Sequence, residues 1–264
     1  MGNLIPPGKT SIATPSEGRI CAGCGQPYRP FWIGEWLLQA PVCDCALEQT
    51  RKRERQEWQE YRKEQRWLQS GLTARLRQAT FSSFCVSTAN QTVFQMCQAY
   101  AERWPVPPGT GEGSGLLLWG IPGVGKSHLA AALANRMLER GARVRFCNVI
   151  RWLNRLRDEM REEDPTEERM EDLEAADLLV LDDLGAQKST AWAMEKIYQV
   201  VNQRYEELQP LVVTTNRNLN QLERGVGSRI FGRLLEICAP MEVKGEDWRT
   251  RIARERQFRG SSCE

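Results

Sequence analysis

The eight residues Gly120-Ile121-Pro122-Gly123-Val124-Gly125-Lys126-Ser127 constrain this chain more than any others, because they fit the spacing G-x-x-x-x-G-K-[ST]. An apolar run, Leu116 to Trp119, comes just before them. A good helix pattern, Lys126 to Arg140, follows and ends at Gly141. Strand, glycine-rich turn and helix in that order make a phosphate cradle. The glycines let the chain turn sharply, backbone N–H groups face anionic oxygens, and the helix adds its positive N-terminal end. In such a loop Lys126 reaches the β- and γ-phosphates of a nucleotide and Ser127 ligates magnesium. Gly120, Pro122, Gly123, Val124, Gly125, Lys126, Ser127 and the adjoining His128 are the expected nucleotide-binding residues. His128, the sole histidine, reads as structural rather than as a base. The alternative, a glycine-rich surface turn, is disfavoured by the strand and helix on either side.

Further along, strands and helices alternate. Val144–Cys147 reads as a strand, Ile150–Arg161 as a helix, and 164–174 as an acidic region with no element assigned. Leu178-Leu179-Val180-Leu181-Asp182-Asp183 is a near-continuous apolar run ending in paired acids, as a buried parallel strand would. Thr190–Leu208 is a long helix, Leu211–Thr215 a strand running into Asn216, and Ala239–Val243 a fifth strand. The fold class is therefore α/β, a parallel five-stranded sheet with flanking helices, whose ligands gather at the carboxyl ends of the strands. Gly120, Asp182 and Asn216 then fall on one rim. Asp182 is placed to hold magnesium through water, Asp183 to polarise the attacking water, and Asn216 to bond the γ-phosphate or that water. Together they suit phosphoryl transfer to water, which needs positioning and neutralised charge. Bland roles remain for two of them: Asp183 as a turn cap, Asn216 as the cap of a helix around Leu219. Arg229 and Arg233 lie on a short helix pattern after Gly225 and Gly227, and one guanidinium could reach the nucleotide of a neighbouring subunit. Arg249, in a final helix over Trp248–Arg259, could contact phosphate in its own subunit.

The chain has 264 residues, enough for a full core and a small extra domain. With 36 Lys and Arg against 34 Asp and Glu, any nucleic-acid surface must be local. The arginines at 151, 155, 157 and 161 on one helix are such a group, or else a solvated face. No apolar run reaches membrane-spanning length and the N-terminus lacks signal-peptide character, so the expectation is a cytoplasmic protein without membrane contact. There its nine cysteines would be metal ligands or free thiols. Cys21 and Cys24, then Cys43 and Cys45 after eighteen intervening residues, suit tetrahedral zinc, although C-x-C is tighter than usual. Free thiols, or a redox or iron–sulfur role, are the alternatives. Tyr28, Phe31, Trp32, Trp36 and Leu37 lie between the pairs as a tiny core or a docking surface. Residues 1–20 read as loose. Ala46–Gln69 is a densely charged helix ended by Ser70-Gly71, and Leu72–Phe84 leads onward with Phe81 and Phe84 packed on the main domain. The expected domains are 1–47 (zinc), 48–71 (charged helical linker), 72–259 (ATPase) and 260–264 (tail). Cys85, Cys97, Cys147, Cys238 and Cys263 have no ligand spacing, and the interior ones read as small core residues.

Gly120–Leu129, Leu181-Asp182-Asp183-Leu184-Gly185, Asn202-Gln203-Arg204-Tyr205 and Thr214-Thr215-Asn216-Arg217 resemble the bacterial replicative-helicase loaders of the DnaC/DnaI type, within the AAA+ ATPases. The resemblance covers roughly residues 72–259. It implies Walker A roles for Lys126 and Ser127, Walker B roles for Asp182 and Asp183, and sensor 1 at Asn216. Arg229, ahead of Arg233, is the implied arginine finger and Arg249 the implied sensor 2. Asp247 replaces the Ser common two residues before that arginine. The implied cofactors are ATP, magnesium and zinc. The implied partners are a DnaB-type replicative helicase, docked by the cysteine module, single-stranded DNA, and further copies of the chain when assembled. The all-cysteine pattern departs from the mixed Cys/His set expected there. An IstB-like transposition helper has much the same core but lacks the cysteine module. A nucleotide-gated adaptor with little turnover is the other alternative, and phage or mobile-element versions fit the same residues.

Overall fold

The structure is a computed structural model describing residues 4–5, 20–21, 23–26, 29–33, 36–42, 44–105, 115–159 and 166–251. The chain divides into two units, Met1–Arg62 and Lys63–Glu264. In the first, β1 (Leu4–Ile5) and β2 (Arg29–Ile33) pair antiparallel on either side of β3 (Trp36–Val42). Part of the stretch expected to be loose thus supplies a strand: Leu4 and Ile5 pair with Leu38 and Leu37, giving the β3 backbone partners it would otherwise lack. Of the residues expected there as a tiny core or docking surface, Phe31 and Trp32 stand on β2 and Trp36 and Leu37 on β3, while Tyr28 lies outside the described residues. Helix α1 (Asp44–Gln69) starts two residues before the charged pattern begins, so Cys45 stands on its first turn. Its one described ion pair, Arg53–Glu57 at 3.5 Å, is 73% and 67% exposed and contributes at most a few tenths of a kcal/mol.

The second unit continues with α2 (Ala74–Arg77), α3 (Gln91–Glu102), β4 (Gly115–Trp119), α4 (Lys126–Glu139), β5 (Val144–Asn148) and α5 (Val149–Glu159). It ends with α6 (Thr166–Glu174), β6 (Leu178–Asp182), α7 (Ala191–Glu206), β7 (Leu211–Thr215), α8 (Leu219–Val226), α9 (Ser228–Ile237) and β8 (Cys238–Glu242). The five later strands form one parallel sheet in the order β5-β6-β7-β4-β8. The acidic region is helical as α6, turning Leu173 inward. Helix α3 was not expected, although Val93, Cys97 and Ala101 recur every four residues and are buried.

Alternation along each strand explains why both faces are covered. Leu116, Leu118, Val180 and Val212 pack with α3 and α4 on one face, while Leu117, Leu179, Leu181 and Val213 pack with α5, α7, α8 and α9 on the other. A strand buried on both sides must be apolar throughout, which is why these runs carry no polar alternation. Helix α4 is buried from Leu129 to Asn135 and again at Met137 and Leu138. It also clasps the incoming segment. Asn135 Nδ2 donates to the carbonyls of Leu76 (2.9 Å) and Ala79 (2.7 Å), and His128 Nε2 lies 3.0 Å from Thr80 O and 3.1 Å from Ser83 Oγ. Phe81 and Phe84 both meet the Phe94 ring at 5.7 Å. His128 therefore holds the segment before the sheet.

Arg204 explains one of the motif matches. Fully buried on α7, it donates Nη1 to Ala176 O at 2.7 Å and Nη2 to Leu173 O, satisfying carbonyls at the C-terminal end of α6. Burial pushes its pKa down to about 10, against the pull of Asp177 and Glu174. Arg204→Met is expected to lower unfolding stability by about 1–2 kcal/mol, because the Ala176 carbonyl loses its guanidinium donor and the Leu173 carbonyl keeps only the long bond from Ala176 N at 3.4 Å. The readout is a lower urea midpoint at unchanged slope. An unchanged midpoint would mean that burying the guanidinium costs as much as its bonds return.

Candidate nucleotide site

The phosphate loop leaves β4 and closes on α4 through backbone conformations that favour glycine. Gly123 and Gly125 have φ of 84° and 96°, and an added Cβ would meet Asp247 Oδ1 at 1.8 Å in the first case and the Phe84 ring at 2.6 Å in the second. Lys126 opens α4 and is only 5% exposed. Its Nζ donates to Gly120 O at 2.8 Å and Ile121 O at 2.7 Å. Burial pushes its pKa down to about 8; Asp183 and Asp182 pull it up, and Arg249 pushes it further down. Ser127, half-buried, is the second residue of the same helix.

Across the rim, the ends of β6 and β7 are tied together by side chains. Thr214 Oγ1 donates to Asp182 Oδ1 at 2.8 Å and accepts from Asp183 N at 2.9 Å. Asn216 Nδ2 donates to Asp183 Oδ1 at 2.6 Å, and Thr215 Oγ1 to Leu184 O at 2.7 Å. Asp183 has φ of 61°, a left-handed conformation that Asp tolerates better than most residues. Burial raises its pKa and neighbouring Asp182 adds to the rise, while the Asn216 hydrogen bond, Lys126 and Arg249 oppose it. The bland role for Asn216 falls away: α8 is capped by Asn218, whose side chain and that of Gln221 form a reciprocal capping box. Thr214 is the member whose role sequence reasoning missed: it enters there only within the Thr214-Thr215-Asn216-Arg217 match, with no part assigned to its hydroxyl.

The chain returns to the loop after β8. Val243 N donates to Trp119 O at 2.8 Å and Trp248 N to Gly123 O at 3.1 Å. Asp247 Oδ1 accepts from Arg249 N at 2.9 Å, capping the helical turn that starts at Trp248. Asp is among the side chains that favour this capping position, as Ser is. Beyond Arg251 the expected final helix lies outside the described residues. Lys126, Asp182, Asp183, Asn216 and Arg249 thus gather at one rim. Arg229 and Arg233 are not among the charges acting on Lys126 or Asp183; their guanidiniums lie over the Tyr198 ring instead.

Two further groups of expected residues divide. Arg151 and Arg155 line a cavity of about 340 Å³ with Arg145, Asn148, Trp152 and Asp182. Arg157 points elsewhere, over the Trp192 ring at 5.2 Å, and Arg161 lies outside the described residues. In the first unit, the sulfurs of Cys21, Cys24 and Cys45 lie within 4.8 Å of one another. Cys21 and Cys45 Sγ are 3.5 Å apart, and Gly23 N donates to Cys21 Sγ at 3.3 Å. Cys43 lies outside the described residues. Cys97 and Cys238 are buried in the core, where burial pushes the Cys97 thiol up to about 12; Cys85 is exposed and Cys147 half-buried. Among the described residues no helix is long and apolar enough to cross a membrane.

Residues 110–256 match the family model of the IstB-like ATP binding protein. The replicative helicase loader DnaC of Escherichia coli (strain K12) is 28% identical over 211 residues, spanning 77% of this chain and 81% of the relative. The replicative helicase loader DnaI of Bacillus subtilis (strain 168) is 27% identical over 249 residues, spanning 89% and 77%. A crystal structure of the DnaC helicase loader superposes with a TM-score of 0.58 at 25% identity, covering 65% of this chain and 100% of that one. The matched span holds the phosphate loop after β4, the acids after β6 and the polar end of β7, all on one rim of an AAA+-like sheet. This chain therefore belongs to the IstB-like ATP-binding family and is homologous to the DnaC/DnaI-type loaders.

Proposed function

We propose that the chain is an ATP-dependent loader that places a DnaB-type replicative helicase on single-stranded DNA during initiation or restart of replication. One observation carries this over the transposition-helper reading. The alignment with DnaI takes in 89% of the chain, so it runs past the ATPase core into the first unit, whereas the IstB-like family model takes in residues 110–256 alone. In this reading residues 1–47 dock on the helicase, 48–71 link, 72–259 hydrolyse ATP in the cytoplasm, and 260–264 form a tail.

At the rim, nucleotide phosphates compete with the Gly120 and Ile121 carbonyls for the Lys126 ammonium, and the loop N–H groups take the remaining oxygens. Ser127, and Asp182 through water, would hold a magnesium ion, which would supply neutralisation of the charge on the transferred phosphoryl group. Asp183 orients the attacking water, and burial, which raises its pKa, makes it a better proton acceptor there. Asn216 fixes the Asp183 carboxylate through its 2.6 Å bond. Arg249 stabilises phosphate in its own subunit, and Arg229 reaches the γ-phosphate of a neighbouring subunit, so that turnover depends on assembly. Arg151 and Arg155, open to the cavity beside the rim, contact DNA phosphates.

Three converging thiols, one already accepting a backbone N–H, have the donor chemistry of a structural zinc site, with Cys43 as the fourth ligand. Zinc there would close the loop between the cysteine pairs and stabilise a unit with little core of its own.

Two measurements test this. With full-length protein, a DnaB-type helicase and circular single-stranded DNA, ATP should promote loading, and Lys126→Ala should lose at least about 100-fold in hydrolysis and lose loading with it. Loading retained by Lys126→Ala would instead support a nucleotide-independent adaptor. Stimulation of a transposase on duplex DNA, without helicase loading, would support the transposition helper. Freshly purified protein should hold close to one zinc per chain, lost in Cys45→Ser; a content below about 0.5 would contradict the four-cysteine site.

A further inference from the structure

Helices α7 and α9 present two arginines to two tyrosines. Arg229 and Arg233 stand one turn apart on α9, and Tyr198 and Tyr205 two turns apart on α7. Both guanidiniums lie over the single Tyr198 ring, 5.0 and 4.6 Å from its centroid. Arg233 also lies over Tyr205 at 5.4 Å, and Glu236 bonds the Tyr205 hydroxyl. Arg229 adds only a long contact, Nη2 to the Tyr198 hydroxyl at 3.4 Å. The two arginines are therefore held unequally. Arg233 is half-buried between two rings, with its Nη1 enclosed, while Arg229 is an exposed residue held by one ring.

We infer that Tyr198 is a positioning residue: its ring presents Arg229, not Arg233, to the nucleotide of a neighbouring copy of the chain. The inference rests on the ATPase reading given above and names the device that makes that site depend on assembly. A free arginine loses much rotamer freedom when it is fixed across an interface. A ring that already restricts those rotamers by a cation–π contact reduces that loss. The ring's described contacts are with Arg229 and Arg233 on α9, so it acts on turnover and not on its own subunit's affinity for ATP.

The test uses full-length protein, ATP with magnesium, and oligo(dT) to promote assembly. Tyr198→Leu should lower kcat about fivefold to tenfold with KM for ATP within about twofold. Tyr198→Phe, which keeps the ring, should recover most of the loss. Tyr198→Met serves as a second aliphatic variant, with thermal melting to exclude a folding defect. Mixing Tyr198→Leu with Lys126→Ala subunits should restore turnover per Tyr198→Leu subunit, because each Lys126→Ala copy brings an intact ring and arginine to its neighbour's intact loop. An unchanged kcat in Tyr198→Leu beside an inactive Arg229→Ala would overturn the inference alone, as would a Phe variant as impaired as Leu or a mixture without recovery. Full turnover in Arg229→Ala would overturn both the inference and the trans role of that arginine. No turnover in the unmodified protein would overturn the ATPase reading beneath them.

Discussion

Leu179, Val180 and Leu181 pair in parallel register with Leu211, Val212 and Val213, so β6 and β7 leave the sheet side by side. That register decides which polar groups meet beyond the last apolar pair. Thr214 faces Asp182, and Asn216 faces Asp183. On its other flank β7 pairs with β4, placing Trp119 opposite Thr215 and starting the phosphate loop on the same rim. A slip of one residue would turn every side chain of β6 to the opposite face and separate these groups. Because all three strands are buried on both faces, such a slip would keep the leucines out of water but misfit them against the facing helices, at about 1–3 kcal/mol per misfit side chain.

The rim concentrates charge where solvent is scarce. Lys126 is almost fully buried and lies within the electrostatic reach of two acids and of Arg249. Its ammonium is held by two loop carbonyls, acceptors that carry no formal charge. A polyanion offers stronger acceptors to the same group, which is the physical basis for nucleotide affinity in this loop. The segment after β8 bonds back to Gly123 and brings Arg249 along, so the loop is tied at once to its own helix and to the end of the chain's described structure.

Much of this was legible beforehand, and the reason is the sheet itself. Strands buried on both faces read as continuous apolar runs, and their endings at Gly120, Asp182 and Asn216 stand out by contrast. Thr214 was part of a motif match, but its role was not legible, because a β-branched residue at a strand end looks like any other strand residue. Helix α6 was obscured by acidic composition, since its inward residue Leu173 is outnumbered by charges. Cys45 read as half of a tight C-x-C pair, yet it stands on the first turn of α1, a placement that spacing alone does not reveal. The Asp247 cap and the Tyr198 clamp depend on which elements become neighbours across the fold. Local pattern carries no information on that. Arg204 belonged to a recognisable motif, but only its burial against the end of α6 shows that it supports the fold.

Nucleotide binding and nucleotide hydrolysis should separate at Asp183, the one carboxylate at the rim held by Asn216. The most direct measurement titrates ATP and follows turnover on full-length Asp183→Asn. Affinity within about threefold of the unmodified protein, with turnover lower by at least about 100-fold, is the predicted result. Equal losses in both, or undiminished turnover, would contradict a hydrolytic site built on this rim.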